Sequence, residues 1–168
     1  EDCLEKFYDL PGSPNTRRLR IFLAEKGVEM DTVAIDITKG ENKTPEYLAK
    51  NSLGQMPLLE LDDGTFIAES IAICRYIDEL HPEPPMFGRD ALERAQVEMW
   101  DRRMELEILM PMMHVFSHTH EMWKDLRHQI AEWGEFNRVR ITERMEWLDG
   151  ELAGRPFIAT DDYTVADI

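Results

Sequence analysis

Ser13 stands in the run Tyr8-Asp-Leu-Pro-Gly-Ser-Pro-Asn-Thr-Arg-Arg, between a short apolar stretch and a proline suited to the first turn of a helix. Its hydroxyl therefore lies beside the positive end of that helix, where an anionic sulfur is stabilised. Lowering a thiol by two units from its free pKa of about 8.5 takes roughly 2.7 kcal/mol of preference for the anion. A helix terminus with one or two charge-assisted hydrogen bonds reaches that value. The local alternative is that Ser13 only caps the helix, as Ser before Pro does in many proteins. Glu69-Ser70 opens a second helix, and its N–H groups and hydroxyl suit a carboxylate; locally the pair also reads as an ordinary cap. A third group is His114, Ser117 and His118, at i, i+3 and i+4 just beyond Pro111. A histidine near a thiol serves as its general base, directly or through a held water, whereas exposed histidines without a role are the plain alternative. Metal binding by His114 and His118 is disfavoured: spacing fixes no third ligand, and the Glu of a His-Glu-x-x-His signature is missing.

The elements that must position these groups follow from periodicity and turn chemistry. Leu4 to Asp9 reads as a strand, broken by Pro11-Gly12-Ser13-Pro14; Leu19, Phe22 and Leu23 then mark a helical face that ends at Gly27. Glu29 to Ile37 reads as a second strand and Pro45 to Asn51 as a turn or short helix. Leu58 to Leu61 and Thr65 to Ile67 flank Asp63-Gly64 as a hairpin. Ile73, Tyr76, Ile77 and Leu80 then give a helix with one buried face and Ser70 at its cap. His81 to Asp90 is rich in Pro and Gly and reads as a linker. Beyond it, Leu92, Ala95, Met99, Leu106, Met110 and Met113 predict one helical face, and Ile141, Met145, Leu148 and Leu152 another. Pro111 removes a hydrogen bond to residue 107 and predicts a kink.

Composition narrows the partners. With 168 residues and 43% hydrophobic content, the chain can bury a substantial core. A net charge of −15 argues against a nucleic-acid surface, which wants clustered Lys and Arg. No apolar run approaches the roughly 20 residues that span a bilayer, and no secretory segment is visible. Two cysteines make no disulfide framework: Cys74 falls within a helix as a small buried residue and Cys3 lies near the N-terminus, which fits a reducing cytoplasm.

Strand-helix-strand followed by strand-strand-helix, with Gln55-Met56-Pro57 before the third strand and Glu69-Ser70 before the closing helix, resembles the thioredoxin-like domain of glutathione transferases. The resemblance covers essentially the whole chain. It implies an α/β plus all-α protein: a thioredoxin-like glutathione-binding domain over 1–81, a linker over 82–90 and a helical domain over 91–168. Thr164-Val-Ala-Asp matches the capping box that opens a core helix of the family's second domain. Because only Ile168 follows, the family's last helices are expected to be missing.

The resemblance also implies the chemistry. The residue at the first turn (Tyr, Ser or Cys in the family) meets the glutathione sulfur, and Ser-Pro-Asn-Thr resembles the Cys-Pro-x-x turn of redox-active relatives with Ser13 in place of Cys. A Cys there forms a mixed disulfide; a Ser cannot, so conjugation is favoured over thiol–disulfide exchange. Asn15 is the second candidate near the sulfur. A cis Met56-Pro57 bond would turn the Met56 backbone toward the cysteinyl unit, with Gln55 also on the ligand backbone. Glu69 and Ser70 would hold the γ-glutamyl end. Asn42 or Lys43 would serve the glycyl carboxylate, Asn42 standing where relatives often place His. Leu10, Pro11, Met110 and Met113 would wall a pocket for the electrophile, the methionines reading locally as core filling. The implied protein is a cytoplasmic homodimer that conjugates glutathione, its co-substrate, to small hydrophobic electrophiles, with no cofactor, metal, nucleic acid or membrane. Two rivals stand beside it: another glutathione-dependent enzyme (isomerase, dehalogenase or peroxidase), or a non-catalytic dimeric interaction module.

Overall fold

The structure is a computed structural model that describes residues 5–168. Leu4 and Cys3 lie outside the described residues. The chain divides into two compact units, one reaching to Met86 and one over Phe87–Asp167.

The first unit has the order β1 (Lys6–Asp9), α1 (Pro14–Lys26), β2 (Asp31–Ala34), α2 (Pro45–Lys50), β3 (Leu58–Glu60), β4 (Phe66–Ala68) and α3 (Ser70–Leu80). The four strands lie in the order β2-β1-β3-β4, with β1 parallel to β2 and both other pairs antiparallel. This is the thioredoxin-like arrangement. Alternation along the strands sends Tyr8 and Leu58 to one face, where they join Ile35, Tyr47 and Met56. Phe7 and Leu59 point the other way. Leu19, Phe22, Ile73 and Ile77, all at 0–1% exposure, form the buried stripes of α1 and α3, which pack together. Each such side chain contributes roughly 1.5–3 kcal/mol by burial. Leu80, expected on the same stripe, is exposed at the last turn. Cys74 is fully buried.

Gly27 ends α1 in the left-handed conformation, its N–H donating to Ala24 O and that of Val28 to Leu23 O. Lys26, its side chain fully buried, then ties α1 to the end of α3: Nζ pairs with Asp78 and donates to the carbonyls of His81 and Pro84.

The second strand is shorter than the β-branched run from Glu29 to Ile37 predicts. Asp36 accepts the Thr38 N–H and caps a 3₁₀ turn at Ile37–Lys39, which ends strand pairing at Ala34. Asp36 is held down to about 2, first by the Thr38 hydroxyl and then by Lys39.

The second unit contains α4 (Ala91–Met104), a π-helical stretch Glu105–Leu109, α5 (Met110–Thr119) and α6 (Ala131–Glu151). The disruption expected at Pro111 takes the form of that π-turn. Wider winding, with the Met110 N–H donating to Glu105 O, absorbs the missing proline donor and relieves its ring from the carbonyl one turn back. The predicted apolar faces are covered only in part: Met113, Ile141 and Leu148 are half-buried. In α4 the buried residues are Val97, Trp100 and Asp101, while Leu92 and Met99 are exposed, as are Leu106 in the π-helical stretch and Met110 in α5. Buried Trp100 stacks on Trp147 at 5.8 Å and carries the guanidinium of Arg103 at 4.7 Å. In α6, Gly134 and Asn137 are buried, whereas Met145 and Leu152 are exposed. A Cβ at Gly134 would stand 2.4 Å from Thr119 Cγ2, so a glycine is what lets α5 and α6 approach. The Thr164–Asp167 box is present in altered form. Asp167 accepts the backbone N–H of Thr164 at 2.9 Å and that of Ile158 at 2.8 Å, and the Thr164 hydroxyl donates to the same carboxylate rather than accepting from the turn.

Candidate functional site

At the β1–α1 turn, Gly12 has φ +90°, a value suited to glycine, and the Ser13 N–H closes the turn on Leu10 O at 3.0 Å. Thr16, fully buried, staples it from within: its hydroxyl donates to Leu10 O at 2.8 Å and Ser13 O at 3.2 Å. Ser13 is the N-cap of α1 by backbone conformation (φ −73°, ψ 134°) with Pro14 next, yet its side chain makes no capping hydrogen bond. Among the described residues the half-buried hydroxyl has no partner, which leaves it able to donate outward. Asn15 follows in the first turn, half-buried; Leu10 is half-buried against the Tyr8 cluster and Pro11 is exposed.

The loop after α2 is built around two carbonyls. Gln55 O accepts from Tyr47 Oη at 3.0 Å and Asn51 Nδ2 at 2.9 Å. Burial, and after it the nearby Tyr8, pushes the Tyr47 phenol up to about 12, so it remains a donor at neutral pH. Gly54 O accepts from Asn42 Nδ2 at 2.8 Å. Gly54 is required twice over: its φ is +65°, and a Cβ would lie 2.6 Å from Asn42 O. Asn42 is thus turned into the loop, while exposed Lys43 reaches across it toward Leu53 O at 3.5 Å. Met56 and Pro57 follow, buried, and the bond between them is cis, as the resemblance implied. Beneath the loop, Lys50 donates to Tyr8 Oη at 2.5 Å and Tyr8 to Glu60 Oε2 at 2.5 Å, so the α2 terminus is fixed to the sheet. The Tyr8 hydrogen bond is the main reason that Glu60 lies below the usual carboxylate range and Lys50 above the usual lysine one.

At the start of α3, Glu69 has φ +72°, the one left-handed non-glycine among the described residues. Such a conformation costs of order 1–3 kcal/mol and collects at ligand sites. Ser70 is the first helical residue rather than the cap expected of it; Glu69 holds the cap position without a side-chain cap bond. Ser70 is 6% exposed, and its Oγ accepts from Arg18 Nη1 at 3.0 Å. Glu69, at the cap, is the acid of this helix end; none stands within the first turn.

The histidine group, in the other unit, is a cluster by itself. His114 and His118 rings are 6.2 Å apart and His114 meets Trp133 edge-on at 5.6 Å. His118 Nδ1 accepts the Ile130 N–H at 3.1 Å, which puts the proton of the neutral ring on Nε2. Ser117 is buried and its hydroxyl turns back toward His114 O at 3.4 Å. Met113 is half-buried and Met110 exposed. Among the described residues no three His, Cys, Asp or Glu side chains gather as metal ligands, and no helix is long and apolar enough to cross a membrane.

Sequence reasoning missed Thr16, Arg18, Tyr47 and Asn51. Thr16 carries a usable signal, three residues after the turn serine; the other three act through partners 52, 8 and 4 residues away, which no local pattern reveals.

Residues 5–79 match the family model described as glutathione S-transferase, N-terminal domain. The chain is 42% identical over 165 residues to glutathione S-transferase 2 of Saccharomyces cerevisiae, covering 96% of this chain and 71% of that protein. Among solved structures it is similar to a glutathione S-transferase domain-containing protein of Marinobacter aquaeolei VT8, with TM-score 0.92 and 38% identity over 96% of this chain and 81% of that one. It is similar also to Gtt2 from Saccharomyces cerevisiae, with TM-score 0.88 and 40% identity over 96% and 80%. The chain belongs to the glutathione S-transferase family.

Proposed function

We propose that this protein conjugates the glutathione thiolate to small hydrophobic electrophiles. The observation that carries the reading is the uncommitted Ser13 hydroxyl at the N-terminus of a 13-residue helix, in a chain 42% identical to a glutathione S-transferase. Ser13 donates to the sulfur, Asn15 assists, and the end of α1 favours the anion over the thiol. The thiol proton leaves to solvent. The sulfur lone pair then forms a bond to the electrophilic carbon, and the leaving group departs with its bonding electrons. Ser13 cannot form a mixed disulfide, so the thiolate remains free to attack.

The rest of the first unit holds the tripeptide. The α3 N–H groups and the Ser70 hydroxyl receive the γ-glutamyl carboxylate, and Glu69 faces its ammonium. The Met56 backbone, with Gln55, aligns the cysteinyl unit. Lys43 supplies charge to the glycyl carboxylate, while Asn42 shapes the loop through Gly54 O. Leu10 and Pro11 offer apolar surface beside the sulfur. In this mechanism Ser117 and His118 serve the α5–α6 joint, given their bonds within it. The functional form is a homodimer, in keeping with exposed Leu92, Met99, Phe136 and Val139 on the helices.

Retention on immobilised glutathione and turnover of a generic aryl halide test the proposal. The double variant Glu69→Ala/Ser70→Ala should lose most affinity, since hydrogen bonds to charged groups are worth about 1.5–3 kcal/mol each. Wild-type protein that neither binds glutathione nor conjugates the halide overturns the reading in favour of an interaction module.

A further inference from the structure

We propose that the cleft between α1 and β2 is a second binding site, one that takes a small organic cation with an apolar body. The cleft has a volume of about 450 Å³, within the range of small-molecule sites. Its origin is local. Arg20, Leu23, Ala24 and Gly27 fall at i, i+3, i+4 and i+7, so they share the face of α1 that lines it. Two of these four are small, and a Cβ at Gly27 would meet nothing within 4 Å, so the helix leaves room where larger side chains would fill it. Phe7 and Thr32, paired in register on β1 and β2, line the sheet side together with Met30. Val28 and Glu29 close the end at the α1–β2 connection.

Charge decides the class of ligand. Glu29 has no salt bridge among the described residues, and the end of α1 beside it carries the partial negative charge of the helix. Lys26, the base of that last turn, is fully buried and matched by Asp78, with its remaining donors on the carbonyls of His81 and Pro84. Arg20 lies seven residues back from Gly27, about 10 Å along the helix axis. Its charge is matched by Asp9, whose two oxygens accept from Nη1 at 2.6 and 2.7 Å. The Glu29 end is therefore negative. An ammonium there meets the carboxylate while its apolar body lies against Leu23, Val28 and Phe7. The net charge of −15 draws cations to the protein as a whole. Ser13 stands at the opposite end of the 13-residue α1, about 20 Å along the axis, so this site lies apart from the residues proposed for glutathione.

The test uses α-naphthylmethylamine, a cation at neutral pH, and α-naphthoate, an anion with the same rings. Each is titrated into the full chain by calorimetry and followed by methyl NMR. The amine should bind and shift the methyl signals of Leu23, Val28 and Met30, while the naphthoate leaves them in place. Glu29→Gln should weaken the amine about fivefold. Ala24→Trp, which fills the cleft from the helix, should abolish its binding. If Ala24→Trp does not fold, Thr32→Phe fills the same space from the strand. Shifts confined to other methyls, equal binding of the two probes, or an amine affinity that Glu29→Gln or the filling variant leaves unchanged would overturn the proposal.

Discussion

Replacing Tyr47 with Phe removes one of two donors that hold the Gln55 carbonyl, while the ring keeps its edge-on contact with Tyr8 at 5.7 Å. Packing is conserved, so the loss isolates one neutral hydrogen bond, worth about 0.5–1.5 kcal/mol net. Asn51→Ala removes the second donor at 2.9 Å and also the acceptor for the Leu53 N–H at 3.2 Å, so its cost should be about twice that of Tyr47→Phe. Each single variant leaves the carbonyl one protein donor; the double variant leaves none. The two substitutions should therefore couple, the double exceeding the sum by at least about 0.5 kcal/mol. Since the held segment leads into the Met56 backbone proposed to meet the cysteinyl unit, glutathione affinity should fall about fivefold for each kcal/mol transmitted. Urea unfolding gives the stability cycle, with an unchanged slope as the sign that only stability moved; calorimetry gives the affinity cycle. Additive stabilities, or a folded Tyr47→Phe with wild-type stability and affinity, would refute the two-donor clasp.

Gly54→Ala should cost more than 2 kcal/mol, because strain at positive φ is joined by a backbone clash with Asn42 O; a thermal melt within 2 °C of wild type would contradict it. The Lys50–Tyr8–Glu60 chain should make stability depend on pH at both ends. Glu60 is lowered, so its contribution is present above the ordinary value of 4.5 and is lost as pH falls through its folded value. Lys50 is raised, so its contribution is present below 10.5 and is lost as pH rises through its folded value. Tyr8→Phe should flatten both limbs of a stability–pH profile, and unaltered limbs would rule the chain out as their source. In sedimentation at micromolar concentration the protein should run as a dimer; a monomer would remove the proposed homodimer.

How far the sequence carries depends on the range of the interaction. Ser13-Pro14, Gly27 and the Asp63-Gly64 hairpin act over a few residues, and their turns and helix ends stand where local chemistry puts them. The second strand stops short of its β-branched run because Asp36 offers the backbone a side-chain partner that β-propensity does not weigh. Ser70 stands one position past the cap that its residue type predicts, because nothing local signals a glutamate in the left-handed region. In α4 and α6 the apolar residues ring the helices, so periodicity alone could not say that Trp100, Gly134 and Asn137 face inward. The partners of the candidate site, Arg18 on Ser70 and Tyr47 on Gln55, join elements brought together only by the fold.

In the proposed mechanism the N-terminus of α1 turns bound glutathione into a thiolate through Ser13 and Asn15. Ultraviolet thiolate absorbance, titrated with glutathione bound to wild type, Ser13→Ala and Asn15→Ala, tests it directly. The wild-type thiol pKa should lie well below the free value of about 8.5 and rise in Ser13→Ala, with turnover falling by about 10²–10³. A titration that is the same in wild type and both variants would contradict it and move thiol activation to His114 and His118.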